Sequence, residues 1–250
     1  MQRRSALITG AGGGLGSAIA HRFAADGHPV VCLDIEHAAA ERTAAALVET
    51  GATATAYGLD ITNESAVEAM REFLATVDML PRLVINAAGI LYRGQVDTTD
   101  PATFRRVLDV NVTGAYTVTR AFGPDLVASG TGRLINIASI AGMNGHPFTA
   151  YATSKGALVN LTRALVLDFW GTGVTVNAIC PGAMDTPMLN RSAMASFLRK
   201  TPTKRVTAPD EVAGVCAFLA SGDAASINGQ TVVVDGGATA VFSYTDQESS

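Results

Sequence analysis

Tyr151 and Lys155 stand four residues apart, Ser139 precedes them, and glycines crowd the stretch from Gly10 to Gly16. Residues four apart share one face of a helix. A lysine ammonium beside a phenol favours the phenolate and lowers a pKa that starts near ~10. A tyrosine tuned in this way can give a proton to an alkoxide or take one from an alcohol. The glycine turn, Thr9-Gly10-Ala11-Gly12-Gly13-Gly14-Leu15-Gly16, follows an apolar run and opens a helical pattern. Glycines allow close backbone approach, and a helix N-terminus presents free N–H groups to phosphate. A proton donor and a seat for a dinucleotide hydride carrier are the parts needed to interconvert a ketone and an alcohol.

Asp34 ends the next apolar run. An acidic residue about 20 positions beyond such a turn can bind ribose hydroxyls, and there it would repel a 2′-phosphate. The neighbours Ile35 and Glu36 supply no cation, and Gly13 rather than Arg or Lys precedes Gly14. The expected cofactor is therefore NAD (NADH) rather than NADP. Taken singly, each feature also has a structural reading. The glycines can make a tight connection, Asp34 can cap a helix, Tyr151 can open an amphipathic helix, and Lys155 can snorkel to the surface. Ser139 can form a turn at a strand end, and Asn111 can mark a kink within a helix.

These residues must be positioned by elements that the hydrophobic pattern makes legible. Seven short apolar runs read as strands: 6–9, 30–33, 53–57, 83–86, 133–138, 174–179 and 231–234. They alternate with helical patterns at 15–26, 38–49, 64–76, 101–128, 151–170 and 209–221. Thr62-Asn63-Glu64 and Thr99-Asp100-Pro101 carry helix-start signals. Such alternation means a parallel sheet with helices on both faces, whose ligands bind beyond the strand C-termini. Gly10, Asp34, Asp60, Asn86, Ser139 and Pro181-Gly182 all fall at or just past strand ends. Residues 183–207 break the alternation, with one weak helical pattern at 192–199, and are expected to form a substrate lid. Residues 243–250 are polar and are expected to be a mobile tail.

The chain has 250 residues, 48% of them hydrophobic, which suits one domain spanning 1–250. A net charge of −4 and the lack of a basic run argue against nucleic acid as a partner. No stretch approaches the ~18 apolar residues of a membrane span, and the N-terminus lacks a signal-peptide pattern, so a cytoplasmic protein is expected. Cys32, Cys180 and Cys216 sit far apart in apolar runs, as buried thiols rather than a disulfide frame or metal site.

Together these pieces resemble the short-chain dehydrogenase/reductases over nearly the whole chain. The matching residues are Thr9 to Gly16, Asp34, Asp60-Ile61, Asn86-Ala87-Ala88-Gly89, Asn111-Val112, Ser139, Tyr151-x-x-x-Lys155, Pro181-Gly182 and Asp235-Gly236-Gly237. The resemblance implies a doubly wound Rossmann α/β fold with seven parallel strands in the order 3-2-1-4-5-6-7. It implies Tyr151 as general acid/base, Lys155 lowering its pKa and binding the nicotinamide ribose, Ser139 bonding the substrate oxygen, and Asn111 holding a relay water. It places Gly10, Gly13, Gly14, Leu15, Gly16, Asp34, Ile35, Asp60 and Ile61 on the cofactor. Asn86, Ala87, Ala88, Gly89, Tyr151, Lys155, Pro181, Gly182, Thr186 and Met188 complete that set. It also implies a homotetramer packed through the long helices and the last strand.

The substrate pocket is expected among Ser139, Tyr151, Ala141, Met143, Asn144, His146 and Met184, with Met188 and Leu189 as further apolar wall and Arg93, Arg191 and Arg199 near the rim or in solvent. His146 precedes Pro147 and also suits a turn cap. The leading expectation is an NAD-dependent oxidoreductase of a small secondary alcohol, such as a polyol, sugar or cyclic alcohol. The alternative is a 3-oxoacyl thioester reductase, which would favour NADPH and a basic rim. A third reading is a dinucleotide-binding regulator without turnover.

Overall fold

A computed structural model of the protein describes residues 5–186, 188–189 and 191–241. The tail expected at 243–250 lies outside the described residues. Seven strands form one parallel sheet: β1 (Ser5–Thr9), β2 (Val30–Asp34), β3 (Ala54–Gly58), β4 (Pro81–Asn86), β5 (Arg133–Ile137), β6 (Thr175–Pro181) and β7 (Thr231–Val234). Their order is β3-β2-β1-β4-β5-β6-β7, with every neighbouring pair parallel. All strand C-termini therefore lie along one edge of the sheet.

Among the described residues eight α-helices lie between the strands: α1 (Gly14–Ala25), α2 (His37–Glu49), α3 (Glu64–Thr76), α4 (Pro101–Leu108), α5 (Gly114–Ala128), α6 (Thr149–Asp168), α7 (Met194–Lys200) and α8 (Pro209–Ala220). Successive strand side chains point to opposite faces, so an apolar run buries two layers at once. On one face Ile8, Val30 and Ile85 pack with Ile19 and Phe23 of α1 and Val212 and Leu219 of α8. On the other, Leu7, Leu33, Val84 and Leu134 pack with Leu74 of α3, Phe122 of α5 and Leu165 of α6.

The helix starts read from the sequence are real caps. Asn63 accepts from the Ala66 amide, and Asp100 accepts from those of Ala102 and Thr103. The pattern at 101–128 is not one helix. A π-helical turn (Asp109–Thr113) separates α4 from α5 and contains Asn111, whose side chain is fully buried. The wider turn lets a polar side chain point inward where a regular helix would carry it past. The weak pattern at 192–199 forms a 3₁₀ turn (Arg191–Ala193) and then α7. All three cysteines are free and buried, and no described helix is long and apolar enough to cross a membrane.

Candidate active site

A cleft of about 970 Å³ runs along the C-terminal edge of the sheet. It begins at the glycine turn between β1 and α1. Gly10 has φ +69°, and a Cβ there would sit 2.9 Å from the Ala88 Cα, so the turn approaches the chain beyond β4 as only glycine can. The first amides of α1 have no partners within the helix, and Gly13, Gly14, Leu15 and Gly16 line the cleft. Such a cradle fits a dinucleotide phosphate.

Asp34 ends β2 beside this turn. Its Oδ2 accepts from the Gly12 amide at 3.0 Å and its Oδ1 from the Glu36 amide at 3.1 Å. The residue at the N-cap of α2 is Glu36, so Asp34 instead ties the glycine turn to the β2 end and lines the cleft. Asp60 caps its own loop through Thr62, whose amide and hydroxyl both donate to Oδ1. Thr9 stitches the floor together, its Oγ1 accepting from the Ala87 and Ala88 amides.

At the other end of the cleft stand Ser139, Tyr151 and Lys155. Ser139 leaves β5 in an extended conformation, and its Oγ accepts from the Ala141 amide at 3.1 Å. Tyr151 lies in the first turn of α6, with Lys155 one turn later on the same face. The Lys155 Nζ lies 5.8 Å from the phenol ring centroid and donates to the Ile137 carbonyl at 2.8 Å. Burial lowers its pKa from 10.5 to about 8. The Tyr151 phenol is pushed upward, chiefly by burial, while the Ser139 side chain acts in the opposite direction. The expected lysine-driven fall is thus not the net result in the protein by itself. Desolvation disfavours charge on both groups: it holds the Tyr151 phenol neutral and brings Lys155, still an ammonium at neutral pH, closer to releasing its proton.

Asn111 clamps the wall beside them. Its Oδ1 accepts from the Ile90 amide at 2.7 Å, and its Nδ2 donates to the Ile90 carbonyl at 3.0 Å and to Ser154 Oγ at 2.9 Å. Gly89 lies against the same pair: a Cβ there would fall 3.1 Å from Asn111 Oδ1 and 3.4 Å from Lys155 Nζ.

Most of the expected cofactor residues line this one cleft: Gly10, Gly13, Gly14, Leu15, Gly16, Asp34, Ile35, Asp60, Ile61, Ala87, Ala88, Gly89, Tyr151, Lys155, Pro181, Gly182, Thr186 and Met188. Asn86 is the exception. It is buried in the sheet, and its Nδ2 donates to the Ala115 carbonyl, Thr119 Oγ1 and Asn136 Oδ1. It braces β4 against β5 and α5 and does not face the cleft.

Of the residues expected at the substrate, Met184 lines the cleft, Ala141 is buried, and Met143, Asn144 and His146 stand exposed on the loop that follows Ser139. After Ser139 the chain coils through a 3₁₀ turn (Ile140–Gly142), and Gly142 backs onto α6, where a Cβ would lie 2.4 Å from the Gly156 nitrogen. The residues that follow, 143–147, form an exposed loop. His146 serves as a turn cap: its Nδ1 accepts from the Phe148 amide, and its ring meets Phe148 edge-on.

The cleft is also lined by Ile90, Arg105, Arg106, Asp109 and Val110, which the sequence reading missed. Ile90 directly follows the Asn86–Gly89 motif and was within reach. The arginines of α4 carry no local signal, because only packing brings that helix to the strand edge.

A family model described as enoyl-(acyl carrier protein) reductase matches residues 10–239. The chain is 39% identical over 242 residues to a meso-2,3-butanediol dehydrogenase of Serratia marcescens, covering 94% of each. Two solved structures share the fold. A 3-oxoacyl-[acyl-carrier protein] reductase of Brucella melitensis with bound NAD has a TM-score of 0.88 and 32% identity, over 94% of this chain and 91% of that one. A gluconate 5-dehydrogenase of Burkholderia cenocepacia in complex with NADP and tartrate has a TM-score of 0.91 and 29% identity, over 97% of each. With a Rossmann sheet in the order described and a cleft that joins a glycine cradle to serine, tyrosine and lysine, the chain belongs to the short-chain dehydrogenase/reductase family, oxidoreductases that act on CH–OH and C=O groups with a nicotinamide cofactor.

Proposed function

We propose that the protein is an NAD(H)-dependent dehydrogenase of small secondary alcohols, working as a cytoplasmic homotetramer whose single domain carries both cofactor and substrate sites. The observation that carries this reading is the convergence of Ser139, Tyr151 and Lys155 at one end of a cleft whose other end is the glycine cradle. When bound in that cleft, the nicotinamide supplies or accepts the hydride. The Tyr151 hydroxyl gives its proton to the carbonyl oxygen during reduction, and its phenolate takes one from the alcohol during oxidation. Ser139 holds the reacting oxygen, and Lys155 stabilises the phenolate in a dry pocket where an ammonium acts strongly. Asn111 keeps the Ile90 wall and α6 in register.

Asp34 supports NAD over NADP, because its carboxylate, held by backbone amides at the β2 end, would repel an added phosphate. The butanediol dehydrogenase relative supports a small alcohol or diol as substrate. The oxoacyl reductase among the similar structures keeps the thioester ketone as the second reading.

The test is titration of NADH and NADPH by fluorescence on the wild type and Asp34→Arg, followed by turnover with a panel of secondary alcohols and ketones. The expected outcome is tighter NADH binding that inverts in Asp34→Arg, and a loss of turnover of at least ~100-fold in Tyr151→Phe. NADPH preference in the wild type would move the oxoacyl reductase reading to first place. Near-full turnover in Tyr151→Phe would exclude the proposed proton donor.

A further inference from the structure

The insertion at 183–207 is fastened at its base. Met184 and Thr207 form a parallel bridge, the Thr207 amide donates to the Ala183 carbonyl at 2.9 Å, and Thr207 Oγ1 donates to the Val234 carbonyl. The Asp235-Gly236-Gly237 motif underlies this base. Asp235 accepts from the Gly237 amide and from the amide and hydroxyl of Thr239, and the turn so formed receives the Thr203 amide at the Gly236 carbonyl.

Nearer its tip the insertion has a different anchor. Arg93 donates from Nη2 to the Met188 carbonyl at 2.6 Å, joining segments 95 residues apart in the chain. Arg93 is exposed and makes no ion pair among the described residues. Its loop is tied to the catalytic helix, because the Thr149 amide at the start of α6 donates to the Gly94 carbonyl at 3.1 Å. One guanidinium thus links the wall that carries Tyr151 to the segment that brings Thr186 and Met188 onto the cleft.

We propose that Arg93 is a positioning residue that latches the insertion across the cleft and so sets the rate at which cofactor is released. The proposal rests on the reading of the cleft as a nicotinamide dinucleotide site. The bond is charge-assisted, but it is made at an exposed position and closes a loop already held at its base. Its loss therefore changes lid opening without unfolding the sheet.

The experiment compares the intact wild type with Arg93→Ala and Arg93→Lys. Release of NADH or NADPH, whichever binds more tightly, is followed by stopped-flow fluorescence. Trypsin cleavage after Arg199, Lys200, Lys204 and Arg205 is mapped with and without dinucleotide. Arg93→Ala is expected to release the dinucleotide about five-fold faster and to be cut sooner within the insertion, at an unchanged melting temperature. Arg93→Lys is expected to recover most of both effects. Wild-type release and cleavage in Arg93→Ala would overturn the latch. Unchanged release with a higher KM confined to anionic substrates would also overturn it and make Arg93 a substrate contact. If the wild type binds neither dinucleotide, the cofactor reading fails. The trypsin comparison on the free protein then decides the latch by itself.

Discussion

Lys155 shows how a functional residue costs stability. It is 4% exposed, and its ammonium donates to the single carbonyl of Ile137. The unfolded chain keeps the lysine proton up to the ordinary pKa of 10.5, whereas the folded one releases it at about 8. Between those values the unfolded state binds more protons, so the lysine's contribution to stability rises with pH across that window. Below it, the buried charge costs the fold something of the order of 3 kcal/mol. Lys155→Met removes that cost, partly offset by the unpaired Ile137 carbonyl. Denaturant melts at pH 7 and pH 10 should show a wild-type gain relative to Lys155→Met as pH rises, with turnover in the variant down at least ~100-fold. A constant stability difference between the two proteins at both pH values would show that Lys155 is not destabilised by burial.

At the scale of elements, the π-helical turn between α4 and α5 is the feature on which the wall of the site depends. It places Asn111 where one side chain engages both backbone groups of Ile90 and the hydroxyl of Ser154. Ser154 in turn donates to the Tyr151 carbonyl. Three elements meet there: the chain after β4, the α4–α5 junction and α6. Asn111→Ala would leave the half-buried Ile90 amide without its partner, at a cost of about 1–3 kcal/mol. The expected result is a lower melting temperature together with a kcat reduced more than ten-fold. Wild-type melting in Asn111→Ala would mean that the clamp is dispensable.

At the scale of the whole molecule, the sheet buries most of its helices' apolar faces but leaves several large side chains in water. Leu167 and Trp170 at the end of α6 are 67% and 78% exposed, and Tyr116 and Val127 of α5 are also exposed. Leu158 and Leu165 of the same α6 are buried against the molecule's own core. The apolar character of the helix thus divides between its own sheet and an outer face. An outer face of this kind is what a homotetramer packed through the long helices requires. Light scattering at micromolar concentration should give four times the 25.8 kDa chain mass, and Leu167→Glu with Trp170→Glu should lower it. A monomer in the wild type would refute the tetramer.

Much of this protein is legible along the chain, because its information is local. Buried parallel strands read as short apolar runs, strand–helix alternation leads to one sheet, and the strand-end rule puts Gly10, Asp34, Asp60, Ser139 and Pro181 on one edge. Tyr151 and Lys155 follow from helical spacing alone. Other features depend on contacts between distant segments. Asn86 ends a strand like the others, yet pairing with Asn136 and α5 turns it into the sheet. Met143, Asn144 and His146 follow Ser139 closely along the chain, and they stand on an exposed loop just beyond the contact of Gly142 with α6. Arg105 and Arg106 reach the cleft, and Arg93 reaches Met188, through packing that no spacing encodes. The balance at Tyr151 is of the same kind. Residue type places a cation beside a phenol, but the depth to which both are buried sets their pKa values, and burial depends on every segment that closes over them.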